Sequence, residues 1–175
     1  MKHLISSLVF AATTSAALAG QPVTGTFDSI DGGTLSLEDW RGQPVLVVNT
    51  ASRCGFTHQY DDLQALQDRY SEAGLVVLAI PSNDFRQELA SEAEVKEFCE
   101  VNFSLTLPMT TITSVRGRDA HPFYQQLKEV AGFTPMWNFD KVLIGPEGNV
   151  VQTWRSVTSP TSSKVTQAVE AALKQ

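Results

Sequence analysis

A nearly unbroken apolar run, Pro44-Val45-Leu46-Val47-Val48-Asn49-Thr50, does most to restrict what this chain can fold into. A strand with one wet face alternates apolar and polar residues. A run without that alternation suits a strand buried on both faces, in a sheet covered on both sides. A small-residue turn follows, Ala51-Ser52-Arg53-Cys54-Gly55. Then Leu63, Leu66 and Tyr70 recur at helical spacing within Gln59–Ala73, and Gly74 stands where a helix would stop. Leu75–Ile80 reads as a second strand of the same buried type, ended by Pro81.

Beyond it, Ser91-Glu92-Ala93-Glu94 has the form of a capping box opening a helix through Val95, Phe98 and Cys99. Helical patterning returns at Pro122–Val130. Strand-like stretches at Lys141–Ile144 and Asn149–Trp154 flank the turn-rich Pro146-Glu147-Gly148-Asn149, which suits a hairpin. A last helix is expected from Ser162 to Leu173. This order predicts an α/β fold, a central mixed β-sheet flanked by helices on both faces. No repeat or linker interrupts residues 20–175, which are expected to form a single domain.

Residues 1–19 read differently. Met1-Lys2-His3, the apolar Leu4–Ala12 and the small residues ending at Ala19 form the pattern of a signal peptide. The expectation is cleavage after Ala19 and export to a periplasmic or extracellular space, where disulfides persist. No other run approaches the ~18 apolar residues of a membrane span. A net charge of −6 argues against nucleic-acid backbones and anionic lipid as partners. With 2 Cys and 3 His, a disulfide-dense scaffold is excluded, and a closed zinc site would consume nearly every ligand available. No metal or other cofactor is expected.

Cys54 sits just past the end of a buried strand and before a helix, where ligand sites gather in α/β sheets. Helix N-terminal amides and Arg53 would favour its thiolate. The plainer alternative is a small buried hydrophobe. Cys-x-x-Cys is absent, since Gly55-Phe56-Thr57 follows Cys54. His58 and His121 have nothing in sequence to orient them as bases and read as surface or helix-end residues.

Three separated segments carry a resemblance: Asn49-Thr50-Ala51-Ser52-Arg53-Cys54-Gly55-Phe56-Thr57, Ile80-Pro81-Ser82-Asn83-Asp84-Phe85-Arg86-Gln87-Glu88, and Trp137-Asn138-Phe139-Asp140-Lys141. Together they resemble the cysteine form of the glutathione peroxidase family, from about Phe27 to the C-terminus. The resemblance implies a thioredoxin-like fold and reduction of hydrogen peroxide and of organic and lipid hydroperoxides. It implies that Cys54 is the peroxidatic residue and that Gln87, Trp137 and Asn138 fill the other active-site positions. Carboxamide and indole N–H groups are donors that stabilise anions without titrating. The resemblance also makes Cys99 the resolving cysteine of a two-cysteine member, which forms an internal disulfide and takes electrons from a thioredoxin-like protein more readily than from glutathione. Disulfide formation brings Cα atoms within about 7 Å, so the helix carrying Cys99 is expected to unwind locally. The short segment between Thr110 and Met136 favours a monomer. The family's Pro-Cys-Asn-Gln-Phe is here Pro81-Ser82-Asn83-Asp84-Phe85, and the following loop is about a residue shorter than its usual Gly-rich version, which bears on the aim of Gln87.

Other readings are an exported module that binds thiols or copper(I) without turnover, a protein disulfide oxidoreductase, and a peroxiredoxin. Two cysteines so far apart do not form a chelate pattern, Cys-x-x-Cys is missing, and the turn before Cys54 lacks the Pro and Thr framing of peroxiredoxins.

Overall fold

The computed structural model describes residues 20–175, so the signal-peptide expectation lies outside the described residues. The elements, in chain order, are β1 (Thr26–Asp28), β2 (Thr34–Ser36), β3 (Val45–Thr50), α1 (Gln59–Tyr70), β4 (Val76–Pro81), α2 (Glu92–Phe103), α3 (Pro122–Ala131), β5 (Lys141–Ile144), β6 (Val150–Trp154) and α4 (Ser163–Ala172). The sheet order is β4-β3-β5-β6. β3 pairs in parallel with β4 through the α1 crossover and antiparallel with β5, and β5 and β6 form the expected hairpin. The sheet is therefore mixed.

Both faces of this sheet are covered, and strand periodicity decides what each face meets. Leu46 and Val48, with Val77, Ala79 and Leu143, pack beneath α1, α2 and α4. Their neighbours Val45, Val47, Val76, Leu78, Ile80, Val142 and Ile144 point the other way, against Phe123 and Leu127 of α3 and Phe27 of β1. The β1–β2 hairpin had no counterpart in the sequence reading. Its strands are three residues each, too short for a period to show, and Gly32 and Gly33 supply the positive φ of its turn.

Local signals hold where chemistry is local. The Ser91 hydroxyl accepts from the Glu94 N–H while the Glu94 carboxylate accepts from the Ser91 N–H, the reciprocal pair that starts α2. α1 tightens into a 3₁₀ turn at Ser71–Ala73 before Gly74 closes it in the left-handed region. His121 caps α3. Its Nδ1 accepts from the Phe123 N–H, so Nε2–H donates to the Thr26 carbonyl, and the ring stacks on Phe27.

The topology gathers the three sequence motifs at one edge. The carboxyl ends of β3 and β4 lead into the Cys54 turn and the Gln87 loop. Because β5 runs antiparallel to β3, its amino end brings Trp137–Asp140 to the same edge.

Candidate active site

Cys54 lies in a chain of tight turns between β3 and α1, with 5% of its surface exposed. Thr57 N–H donates to the Cys54 carbonyl, Gln59 N–H to Phe56 and Tyr60 N–H to Thr57. These turns delay the helix, whose N-cap is His58. The expectation that first-turn amides of α1 serve the sulfur is thus corrected. The sulfur accepts a hydrogen bond from the Phe56 N–H, 3.5 Å from Sγ. The ring of His58 faces the Gly55 carbonyl.

The Gln87 loop is tied to this turn twice. Arg53 N–H donates to the Gln87 carbonyl at 2.8 Å, and Ser52 N–H donates to Oε1 of the buried Glu88 at 3.0 Å. Within the loop, Arg86 adopts φ 56°, in the left-handed region that favours glycine. Its N–H donates to the Asn83 carbonyl, and Asn83 Oδ1 accepts from Glu88 N–H.

Asn138 completes the link. Its Nδ2 donates to Gln87 Oε1 at 2.9 Å, which leaves the Gln87 Nε2 hydrogens unspent. Asn138 is fully buried, and its own Oδ1 has no partner. Asn138 thus orients a second carboxamide, so that the oxygen of Gln87 is occupied and its nitrogen remains the donating end. Trp137 stands at the rim, 42% exposed, with its ring 5.4 Å from that of Phe85. It lines a cleft of about 370 Å³ with Phe56, Met136, Val157 and the polar Asp140, Arg155 and Ser156.

The turn that presents Trp137 and Asn138 is held by residues the sequence reading did not single out. Asn49 Nδ2 donates to the Trp137 carbonyl, and the Asn49 carbonyl accepts from Phe139 N–H at 2.6 Å. That bond and complete burial hold Phe139 at φ 66°, a region unfavourable for a bulky side chain. Buried Asp140 accepts from Met136 N–H, Ser156 N–H, the Ser156 hydroxyl and Arg155. Beneath it, fully buried Lys141 donates to Gln59 Oε1 and the Phe139 carbonyl, joining α1 to this turn. Burial pulls the Lys141 ammonium down to about 8, against the opposing pull of Asp140 and Asp62.

Cys99 is in the middle of α2, 1% exposed, and both thiols are unbonded. The two sulfurs belong to one apolar cluster. Burial pushes the Cys99 thiol up to about 12, opposed by the Tyr60 hydroxyl and assisted by Glu88 and Glu100. Burial also raises the Glu88 carboxyl, against hydrogen bonds from Ser52 and Leu89 and the charge of Arg53.

The arrangement joins a thiol, a donor N–H and an oriented carboxamide at the end of a buried strand. Residues 24–128 match the family model described as Glutathione peroxidase. The chain is 41% identical over 136 residues to a glutathione peroxidase of Lactococcus lactis, covering 75% of this chain and 87% of that one. It is 37% identical over 144 residues to the hydroperoxy fatty acid reductase of a Synechocystis species, covering 76% and 85%. Among solved structures, apo Trgpx superposes with a TM-score of 0.67 at 35% identity, covering 86% and 93%. A thioredoxin-family thiol:disulfide interchange protein of Chlorobium tepidum superposes at 0.65 with 17% identity, covering 87% and 94%, a likeness of fold alone that makes the architecture thioredoxin-like.

Proposed function

Because this chain belongs to the glutathione peroxidase family and is a thiol peroxidase, we propose that Cys54 is the nucleophile and Cys99 the thiol that resolves it. The Cys54 thiolate attacks one oxygen of the hydroperoxide, the O–O bond breaks, sulfenic acid forms at Cys54, and the departing hydroxide or alkoxide takes up the proton that the thiol released on ionising and leaves as water or alcohol. Gln87 Nε2 and the Trp137 indole N–H meet the charge that moves onto the departing oxygen, a role for preorganised donors that do not titrate. Asn138 acts mainly through Gln87. The observation that carries this reading is that Asn138 Nδ2 holds the Gln87 carboxamide oxygen while the Arg53 N–H, next to Cys54, holds the Gln87 backbone carbonyl.

Cys99 then attacks the Cys54 sulfur, and the disulfide forms with loss of water. Cys99 sits mid-helix, and its carbonyl accepts from Ser104 and Leu105, so α2 loosens locally to deliver it. A thioredoxin-like protein, or glutathione, reduces the product. Hydrogen peroxide and organic hydroperoxides are the substrates. The apolar cleft beside Trp137 supports acceptance of hydroperoxy fatty acids, the substrate named for the Synechocystis relative. The Met1–Ala19 pattern supports export, and the short segment between Thr110 and Met136 supports a monomer. In its own host, a mature N-terminus at Gly20 is the expected mass-spectrometric result.

The decisive experiment mixes reduced protein with one equivalent of peroxide and follows free thiols by stopped flow, with mass mapping of the product. Fast loss of both thiols, a Cys54–Cys99 linkage and abolition by Cys54→Ser are expected. Loss no faster than that of a small-molecule thiol would instead favour the module that binds thiols without turnover.

A further inference from the structure

The cleft beside the Cys54 turn gathers apolar surface that the fold itself does not cover. Among the described residues five large apolar side chains are exposed, and three of them, Met136, Trp137 and Val157, line this one cleft together with Phe56. Exposed apolar groups collected in one place mark a surface that something else covers. Phe56 also donates the N–H held at the Cys54 sulfur, so one wall of the cleft belongs to the residue that touches the reacting atom.

One cation stands in the cleft. Arg155 Nη1 donates to Asp140 Oδ2 at 2.6 Å and to the Thr134 carbonyl at 3.0 Å, and its guanidinium carbon lies 5.1 Å from the centre of the Phe133 ring. Those two bonds use both Nη1 hydrogens. Nε–H and the Nη2 hydrogens have no acceptor among the described residues, and the side chain is 47% exposed. Nε–H and one Nη2–H point the same way along one edge of the guanidinium, the fork that meets both oxygens of a carboxylate. Asp140 is the acidic group nearest to this fork, and it is already saturated. Its Oδ1 accepts from the Ser156 N–H and hydroxyl, and its Oδ2 from Met136 N–H and Arg155. It also shares its charge with the buried Lys141 ammonium.

We propose that Arg155 binds the carboxylate of a free hydroperoxy fatty acid, whose acyl chain lies on Phe56, Met136, Trp137 and Val157. This names the substrate class of the site and rests on the reading of Cys54 as the nucleophile. The carboxylate accepts from Nε–H and Nη2–H, while the chain leaves water against the four apolar side chains. Asp140, Thr134 and Phe133 fix the guanidinium before substrate arrives, which lowers the ordering cost of binding. A methyl ester or an acyl chain within a phospholipid offers the same apolar body without the anion. Hydrogen peroxide offers neither. A protein reductant is the other candidate to cover this surface, but a stable interface buries roughly 800 Å² on each partner, and four apolar side chains around one cation suit a small amphiphile better.

The test measures the second-order rate constant for loss of the Cys54 thiol by stopped flow at pH 7. Reduced protein is mixed with submicellar linoleic acid hydroperoxide, with its methyl ester, and with hydrogen peroxide. The readout is the acid-to-ester ratio, which cancels any general change in the reactivity of Cys54. Wild type is expected to prefer the acid about tenfold, the size of charge-assisted hydrogen bonds at a half-exposed site, and the preference is expected to shrink as salt is raised. In Arg155→Met the ratio is expected to fall to about 1. Arg155→Lys keeps the charge but has no fork, is expected to bring the ratio down to about 3, and carries the test if the Met variant does not fold. A wild-type ratio near 1, or the wild-type ratio retained in either folded variant, overturns the proposal. An unchanged ratio combined with slower reduction of the oxidised variant by a thioredoxin-like protein overturns it too, and makes the cleft a docking surface for the reductant. If none of the three hydroperoxides removes the Cys54 thiol of wild type rapidly, the nucleophile assignment itself falls, and the proposal with it.

Discussion

Cys99 offers a direct measure of how firmly α2 is seated. Consider the Cys54→Ser variant, in which Cys99 is the remaining thiol, treated with iodoacetamide in native buffer at pH 7. Only thiolate reacts. A free cysteine, with a pKa of about 8.5, is roughly 3% thiolate at this pH. Cys99, pushed up to about 12, is ionised to only about 1 part in 100,000. Ionisation alone therefore slows alkylation of the seated thiol about 3,000-fold relative to an unfolded peptide of the same sequence. Burial to 1% exposure slows it further, because almost none of the residue is open to the reagent. Labelling faster than that limit comes from chains in which α2 has opened, and the ratio to the unfolded rate then gives the opening equilibrium. Its pH dependence identifies the route. Labelling through opening levels off near the ordinary thiol value of about 8.5, whereas labelling of the seated thiol rises tenfold per pH unit beyond it. The assay is quenched alkylation with peptide mass mapping. A native rate within about tenfold of the unfolded peptide would mean that Cys99 is free about a tenth of the time. That result would refute the packing described for α2.

Three further outcomes follow from named contacts. Ser91→Ala removes the capping box, should cost about 1 kcal/mol in urea melts, and should speed both Cys99 labelling and disulfide formation by fraying the start of α2. Lys141→Met tests the buried ammonium. Lys141 is held at about 8 in the fold against an ordinary 10.5, so the unfolded chain binds the extra proton between those values. The stability of wild type relative to this variant should therefore be constant below pH 8 and rise by about 3 kcal/mol between pH 8 and 10.5, measured by urea melts. Asn138→Ala frees the Gln87 carboxamide and should slow peroxide-dependent loss of the Cys54 thiol by about 100-fold while the disulfide, once formed, is unchanged. A rate near that of wild type would remove Asn138 from the machinery.

What could be read along the chain was whatever neighbours in sequence decide between themselves. The unbroken apolar run of β3 announced a strand covered on both faces, because a side-chain period is a property of consecutive residues. The Ser91–Glu94 reciprocal bonds and the stop at Gly74 were legible for the same reason. So was the candidacy of Cys54, placed past a buried strand in a motif long enough to recognise. The tertiary structure decided which groups meet, because those bonds join segments that approach only when the sheet forms. Asn138 selects which end of Gln87 donates, Ser52 and Arg53 clasp the loop of Glu88, and Asn49 holds the turn that carries Trp137. The left-handed backbones of Arg86 and Phe139 belong to that class, since neither residue favours such a conformation unless its surroundings impose it. The late start of α1 does too, and it moves the donor at the sulfur from a helix end to Phe56. Chain pattern sets local geometry through short-range sterics, while the site depends on long-range bonds made possible by the antiparallel return of β5.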